Sequence, residues 1–145
     1  MQGILRHTDY AARVVLHLAS LGTDARVQVK DIADRRLMPA PFVRRVVARL
    51  AAAGILRTAR GSGGGVRLAR PAREISLLDV IRAMEGGVVL NRCVSEPGAC
   101  PLSDRCPVQR TWCDATRRLE EHLEGVTFAD LSTPSKRSTR KRKEP

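Results

Sequence analysis

Ile55-Leu56-Arg57-Thr58-Ala59-Arg60-Gly61-Ser62-Gly63-Gly64-Gly65-Val66-Arg67-Leu68 is the stretch that decides the fold. Residues 55–58 read as one strand, 66–68 as a second, and 60–65 as the flexible loop of a hairpin. Four glycines in the six loop positions give up conformational order, which suits close approach of the backbone to a large ligand. A nucleotide-cradling loop is a poor match. No Lys-Ser/Thr pair follows, and the next element is a strand rather than a helix.

Three helical patterns precede the hairpin. Over 8–21, Ala11, Val14, Val15, Leu18 and Leu21 recur at helical spacing, with Thr8 or Asp9 as cap and Gly22 as stop. A short second helix over 29–36 buries Ile32 and Ala33. Leu37-Met38-Pro39-Ala40-Pro41 is a turn, and Pro41 suits the first position of a third helix. That helix places Val43, Val46, Val47 and Leu50 on one face and Arg44, Arg45 and Arg49 on the other, with Gly54 as C-cap. Three helices and a hairpin in this order describe a winged helix-turn-helix. The fold class expected is mainly α: a winged helix-turn-helix with a long dimerisation helix.

Such a module lays its third helix in the major groove of duplex DNA. The start of that helix (Ala40, Pro41, Val43, Arg44) would face base edges. Arg44 suits guanine, because a guanidinium donates two parallel hydrogen bonds to O6 and N7. Arg45 and Arg49 suit phosphates. In the wing, Arg60 would enter a narrow minor groove, with Ser62, Gly63 and Gly64 close to the DNA backbone.

Downstream, Ser76 and Asp79 make a capping-box start for a helix burying Leu77, Val80, Ile81 and Met84, stopped by Gly86-Gly87. Residues 91–106 are turn-rich, with Pro97, Gly98 and Pro101 excluding regular structure. Pro107 opens a long helix to about residue 123. Its Val108, Trp112, Ala115, Leu119 and Leu123 are spaced four, three, four and four, a near-heptad stripe suited to a partner helix. Residues 127–131 add a terminal turn. The division expected is a DNA-binding domain over 1–87, a cysteine loop over 88–106, a dimerisation helix and turn over 107–131, and a disordered basic tail over 132–145.

The formal net charge is +11, of which the tail contributes +5 and the body +6. A basic body favours an anionic partner, most simply nucleic acid. Aromatics are 3% of the chain, too few for the stacking platforms of single-strand binders. No run approaches the roughly 18 apolar residues of a membrane span, and the first residues lack a signal-peptide core, so the expectation is a cytoplasmic protein with no membrane partner.

Cys93, Cys100, Cys106 and Cys113 are the only cysteines. In a reducing compartment they point to metal or redox chemistry rather than disulfide staples. Six, five and six residues intervene. Zinc sites generally carry closer pairs. Wider loops wrap a larger object, such as an iron–sulfur cluster, whose irons prefer thiolates. Spacing alone leaves cluster, zinc and plain thiols open. Cys106 adjoins a helix N-terminus, where the dipole favours a thiolate. Cys113 lies two turns further, about 10 Å along the axis, and reads equally as a small buried residue beside Trp112. His17 and His122 lack cysteine neighbours and read as structural.

The chain resembles the iron–sulfur winged-helix regulators typified by IscR and NsrR. The resemblance runs from about Thr8 to Leu131. It rests on Thr8-Asp9-Tyr10-Ala11, on residues 60–71 of the wing, on residues 75–81, and on Cys93, Cys100 and Cys106-Pro107-Val108. It implies a homodimer and a cluster, 4Fe–4S or 2Fe–2S, held by Cys93, Cys100 and Cys106. IscR-like members use a His three residues after the third cysteine, where this chain has Gln109. NsrR-like members use an Asp near the N-terminus, donated by the other subunit, and Asp9 stands there. Asp9 is therefore the first candidate for fourth ligand, Cys113 the second and His7 the third. The function implied is a transcriptional repressor controlled by cluster status, sensing nitric oxide, redox stress or iron–sulfur status. Regulation through bare thiols or zinc on the same fold is the alternative. A small iron–sulfur redox protein is the alternative from another class, disfavoured by the absence of any second cofactor motif. No enzyme constellation is present.

Overall fold

The computed structural model describes residues 3–96 and 98–133. Apart from Ser132 and Thr133, the basic tail expected over 132–145 lies outside the described residues. The elements run α1 (Arg6–Leu21), α2 (Val29–Arg36), α3 (Ala40–Ala52), β1 (Leu56–Ala59), β2 (Gly65–Leu68), α4 (Leu77–Glu85), α5 (Arg92–Ser95), α6 (Pro107–Glu124) and α7 (Phe128–Ser132), with single 3-10 turns at Ala72–Glu74 and Ser103–Arg105. The protein is mainly helical and is a winged helix-turn-helix, as the order of patterns predicts.

The apolar stripes of the first three helices meet in one core. Val14, Val15 and Leu18 of α1, Ile32 of α2, and Val43, Val46 and Leu50 of α3 are all sealed from solvent. Burying each such side chain contributes about 1.5–3 kcal/mol. The turn between α2 and α3 is tight: Leu37 adopts a left-handed conformation (φ 54°), and the Met38 N–H bonds back to the Ala33 carbonyl at 2.9 Å. The chain between α1 and α2 also reaches the wing. Val27 and Val66 exchange two backbone hydrogen bonds, of 3.0 and 2.8 Å, so the hairpin has a third, one-residue strand.

Two caps differ from expectation. Neither Thr8 nor Asp9 caps α1; both lie inside the helix, which starts at Arg6. The cap comes instead from the last residue of α4. Glu85 accepts a hydrogen bond from the Leu5 N–H at 3.1 Å and another from the Thr8 hydroxyl. A carboxylate there also complements the positive end of the helix dipole. At α3, Pro39 is the N-cap, so Pro41 occupies the second helical position rather than the first; its missing N–H is equally harmless there.

The Ser76–Asp79 capping box on α4 forms as read. A second box, Thr127–Asp130, opens α7, and the Thr127 hydroxyl and N–H hold the Asp130 carboxyl below its ordinary value. Helix α7 lies against α1, and Phe128, 1% exposed, completes the main core. The terminal turn read over 127–131 is thus packed into the reader core rather than carried with the long helix. Backbone hydrogen bonds from Leu77 to Val126 and from Phe128 to Ile75, both 2.9 Å, fix the return.

Candidate nucleic-acid interface and cysteine segment

Helix α3 presents its polar face beside the wing. Pro41, Arg44, Arg45, Ala48 and Arg49 are exposed and Ala40 is half-buried. None of the three arginines joins an ion pair among the described residues. Arg44 lines a groove of about 490 Å³ between α3 and the wing, with Gln28, Lys30, Ala48, Thr58 and Gly65 among the other walls. Arg45 and Arg49 line the opposite edge of the helix beside His7 and Phe42. The Arg45 guanidinium sits 4.5 Å over the Phe42 ring, which itself meets Tyr10 edge-on at 6.2 Å. That stacking fixes Arg45's direction and contributes about 0.5–1 kcal/mol at an exposed site.

Two residues read as DNA-facing are not available for it. Val43 is fully buried, because its position one turn before Val46 and Val47 puts it on the core side of α3. Gly64 is buried too. A Cβ there would collide with the backbone of Ala59, Arg60 and Gly61, while its N–H bonds Gly61 at 3.0 Å and its carbonyl accepts from Gln28 Nε2 at 2.9 Å. Gly64 thus serves the tightness of the turn. Arg60, Ser62 and Gly63 are exposed at the tip. Gln28 and Lys30, absent from the sequence-based set, line the groove from the start of α2. Only the lone extended residue Val27 just before them signals that this linker joins the wing.

The cysteine segment holds more regular structure than its prolines and glycine suggest: α5 contains Cys93, and a 3-10 turn leads into Cys106. Cys106 is the N-cap of α6, and its carbonyl accepts from the Arg110 N–H. Cys93, Cys100 and Cys106 are half-buried free thiols. Cys113 is exposed, which removes its reading as a buried apolar residue. Gln109 donates through Nε2 to the Cys93 carbonyl at 2.9 Å, closing the segment on itself. Higher on α6, Glu120 accepts from Arg82 at 3.3 Å and from the Val88 N–H at 3.4 Å. Asp9 pairs with Arg13 at 2.8 Å, both about half exposed. Among the described residues no three His, Cys, Asp or Glu side chains stand close enough to hold one metal ion.

The other histidines differ in kind. His17 is buried, its Nε2 without a partner among the described residues, and burial with Arg36 and Arg35 nearby lowers its pKa below 6.5. His122 is exposed on α6. No helix among the described residues is long and apolar enough to cross a membrane.

Comparison with known proteins gives these features a context. The Rrf2 family, described as an iron-dependent transcriptional regulator, matches residues 4–134. The HTH-type transcriptional regulator IscR of Yersinia enterocolitica is 31% identical over 122 residues, covering 84% of this chain and 74% of that protein. The structure of IscR from T. potens superposes with a TM-score of 0.72 at 26% identity, covering 90% of this chain and 85% of that one. CymR, the global cysteine regulator of B. subtilis, shares the fold with a TM-score of 0.77 at 24% identity, over 93% of this chain and 99% of that one. The alternative of a small redox protein gives way to these likenesses. With a wing, an arginine-bearing third helix and relatives that are regulators rather than enzymes, the chain belongs to the Rrf2 family of DNA-binding transcriptional regulators.

Proposed function

We propose that this regulator is a homodimeric repressor whose grip on duplex DNA is set by an iron–sulfur cluster held by Cys93, Cys100 and Cys106. The observation that carries the reading is the cysteine segment itself. Three half-buried free thiols lie on a stretch closed by the Gln109–Cys93 hydrogen bond and seated at the foot of α6. The donor set fits: thiolates are what iron in such clusters prefers, and Cys106 stands at the N-cap of α6. When bound, the cluster supplies a centre reactive toward nitric oxide and oxidants.

The chain's own residues do the rest. Asp9 of the partner subunit is the fourth ligand. Its ion pair with Arg13 is no obstacle, since a half-exposed pair is worth only about 0–1 kcal/mol. The apolar stripe of α6 supports a second copy as its cover. Val108 is 58% exposed, Trp112 38% and Leu119 36%, and Thr116 alone of the helix is buried. Pairing the stripes brings two reader modules together, and a ligand bridging the cysteine segment of one to α1 of the other sets their angle. Half-site spacing, and hence affinity, follows that angle.

Protein purified without oxygen is expected to be coloured, to contain iron and sulfide, and to change both its visible absorption and its DNA affinity on exposure to nitric oxide. Colourless, iron-free protein that cannot be reconstituted would overturn the reading. Asp9→Ala that leaves the absorption intact would remove Asp9 from the ligand set. The same free thiols admit one second reading, regulation through bare thiols or zinc on the same fold; metal and sulfide analysis distinguishes it.

A further inference from the structure

The outer face of the wing carries a charge arrangement that nothing in the fold explains. Arg57 of β1 is the register partner of Arg67 of β2, so two guanidinium side chains stand directly opposite one another. Like charges in that position destabilise a hairpin. Arg26 joins them, since its neighbour Val27 pairs with Val66. None of the three meets a carboxylate in an ion pair among the described residues. They line one recess of about 130 Å³ with Thr58, Ala59 and Gly65. Arg26 is steered there by a hydrogen bond from Nη1 to the Gly63 carbonyl at 3.2 Å, and its side chain makes no other hydrogen bond among the described residues.

We propose that Arg26, Arg57 and Arg67 form a phosphodiester site on the flank of the wing, taking a backbone phosphate of duplex DNA beyond the base pairs that α3 reads. The site rests on the reading of the α3–wing face as the DNA surface. Thr58, Ala59 and Gly65 wall both this recess and the Arg44 groove, so the two adjoin the same strand ends of the wing. Guanidinium forks match phosphate oxygens in pairs. An anion between Arg57 and Arg67 turns their mutual repulsion into attraction, so the hairpin's cost when free becomes affinity when bound. Such a contact carries no base preference; it lengthens the footprint and steepens the salt dependence.

The test uses the full chain and a duplex of about 40 base pairs, roughly four helical turns, selected by the unmodified protein from a randomised pool, together with a shortened duplex lacking the flanks. Arg57→Gln with Arg67→Gln is expected to weaken binding to the long duplex about tenfold, alike for all sequences, and to flatten the slope of log K against log salt by about one to two units. On the short duplex the variant and the unmodified protein should bind alike. Arg57→Glu alone should raise the unfolding temperature, by pairing with Arg67, while weakening DNA binding; opposite signs separate loss of a site from loss of fold. Unchanged affinity and slope in a protein that still binds DNA would overturn the phosphate site and leave the regulator reading standing. So would an equal loss on both duplexes, or a loss confined to particular base pairs. An unmodified protein that binds no duplex DNA would sink both.

Discussion

Substituting Gly65 by alanine should detach the wing from the body of the protein without unfolding the helices. Gly65 has φ +138°, and a Cβ there would stand 2.9 Å from the Val27 carbonyl oxygen and 3.2 Å from its carbon. An L-residue held in that backbone region costs about 1–3 kcal/mol. The contact is with backbone, so relief requires the Val27 strand to move away. That motion breaks the two hydrogen bonds between Val27 and Val66, each worth about 0.5–1.5 kcal/mol. The bonds broken on opening are broken in the unmodified protein as well, so the strain of about 1–3 kcal/mol alone shifts the balance and raises local opening roughly 5- to 150-fold. Amide hydrogen exchange reads this directly. The Val27 and Val66 amides should lose protection by that factor, while those of the α1 core around Leu18 should keep theirs. DNA affinity should fall as well, because the wing loses its fixed position. Unchanged protection at Val27 and Val66, or an equal loss throughout α1, would refute the reasoning.

Other expected outcomes follow the same logic. Phe128→Ala removes a ring that is 1% exposed and joins α7 to the reader core; denaturant titration should show a loss of about 3–5 kcal/mol. Leu37→Asn places a residue that tolerates the left-handed region at a site 91% exposed with φ 54°, and should raise stability by about 1 kcal/mol. His17 has a native pKa depressed below 6.5, so below that value the unfolded chain binds the extra proton first. Its contribution to stability is therefore full above about pH 6.5 and is lost as pH falls through the depressed native value; His17→Gln should flatten that part of the pH–stability curve. Arg44→Ala should cost about 1–3 kcal/mol against the selected duplex and relax the preference at one base position, read by binding to duplexes varied one pair at a time.

What the sequence reveals and what it conceals divide along contact range. The stripes of α1 and α3, the Ser76–Asp79 box and the glycine stops at Gly54 and Gly86 are local patterns, and each sits where its spacing puts it, except that Leu21, in the last turn of α1, is exposed rather than buried. The cap of α1 is not local. Thr8 and Asp9 look like capping residues, but Glu85, nearly eighty positions away, takes the role. The Val27 strand is a single residue, too short to show alternation. Val43 illustrates a different difficulty: it lies both at the start of the reading helix and on its apolar stripe, and burial decides between the two. In the cysteine segment, sequence identified the thiols but not their surroundings. Gln109 reads there only as a missing imidazole, whereas in the fold it is a tie.

The Gln109 amide bonded to the Cys93 carbonyl makes that part of the chain a ring rather than an arm. Cys100 and Cys106 lie within the circuit, and Cys93 is one of its two clasps. The ends have met before any ligand arrives, so gathering the sulfurs forfeits less chain freedom than it would from an open loop. The same clasp fastens the circuit to the helix carrying the Trp112 stripe. Slackening it by changing Gln109 alters how far the circuit can yield while every thiol stays in place, so compliance and ligand chemistry can be varied independently.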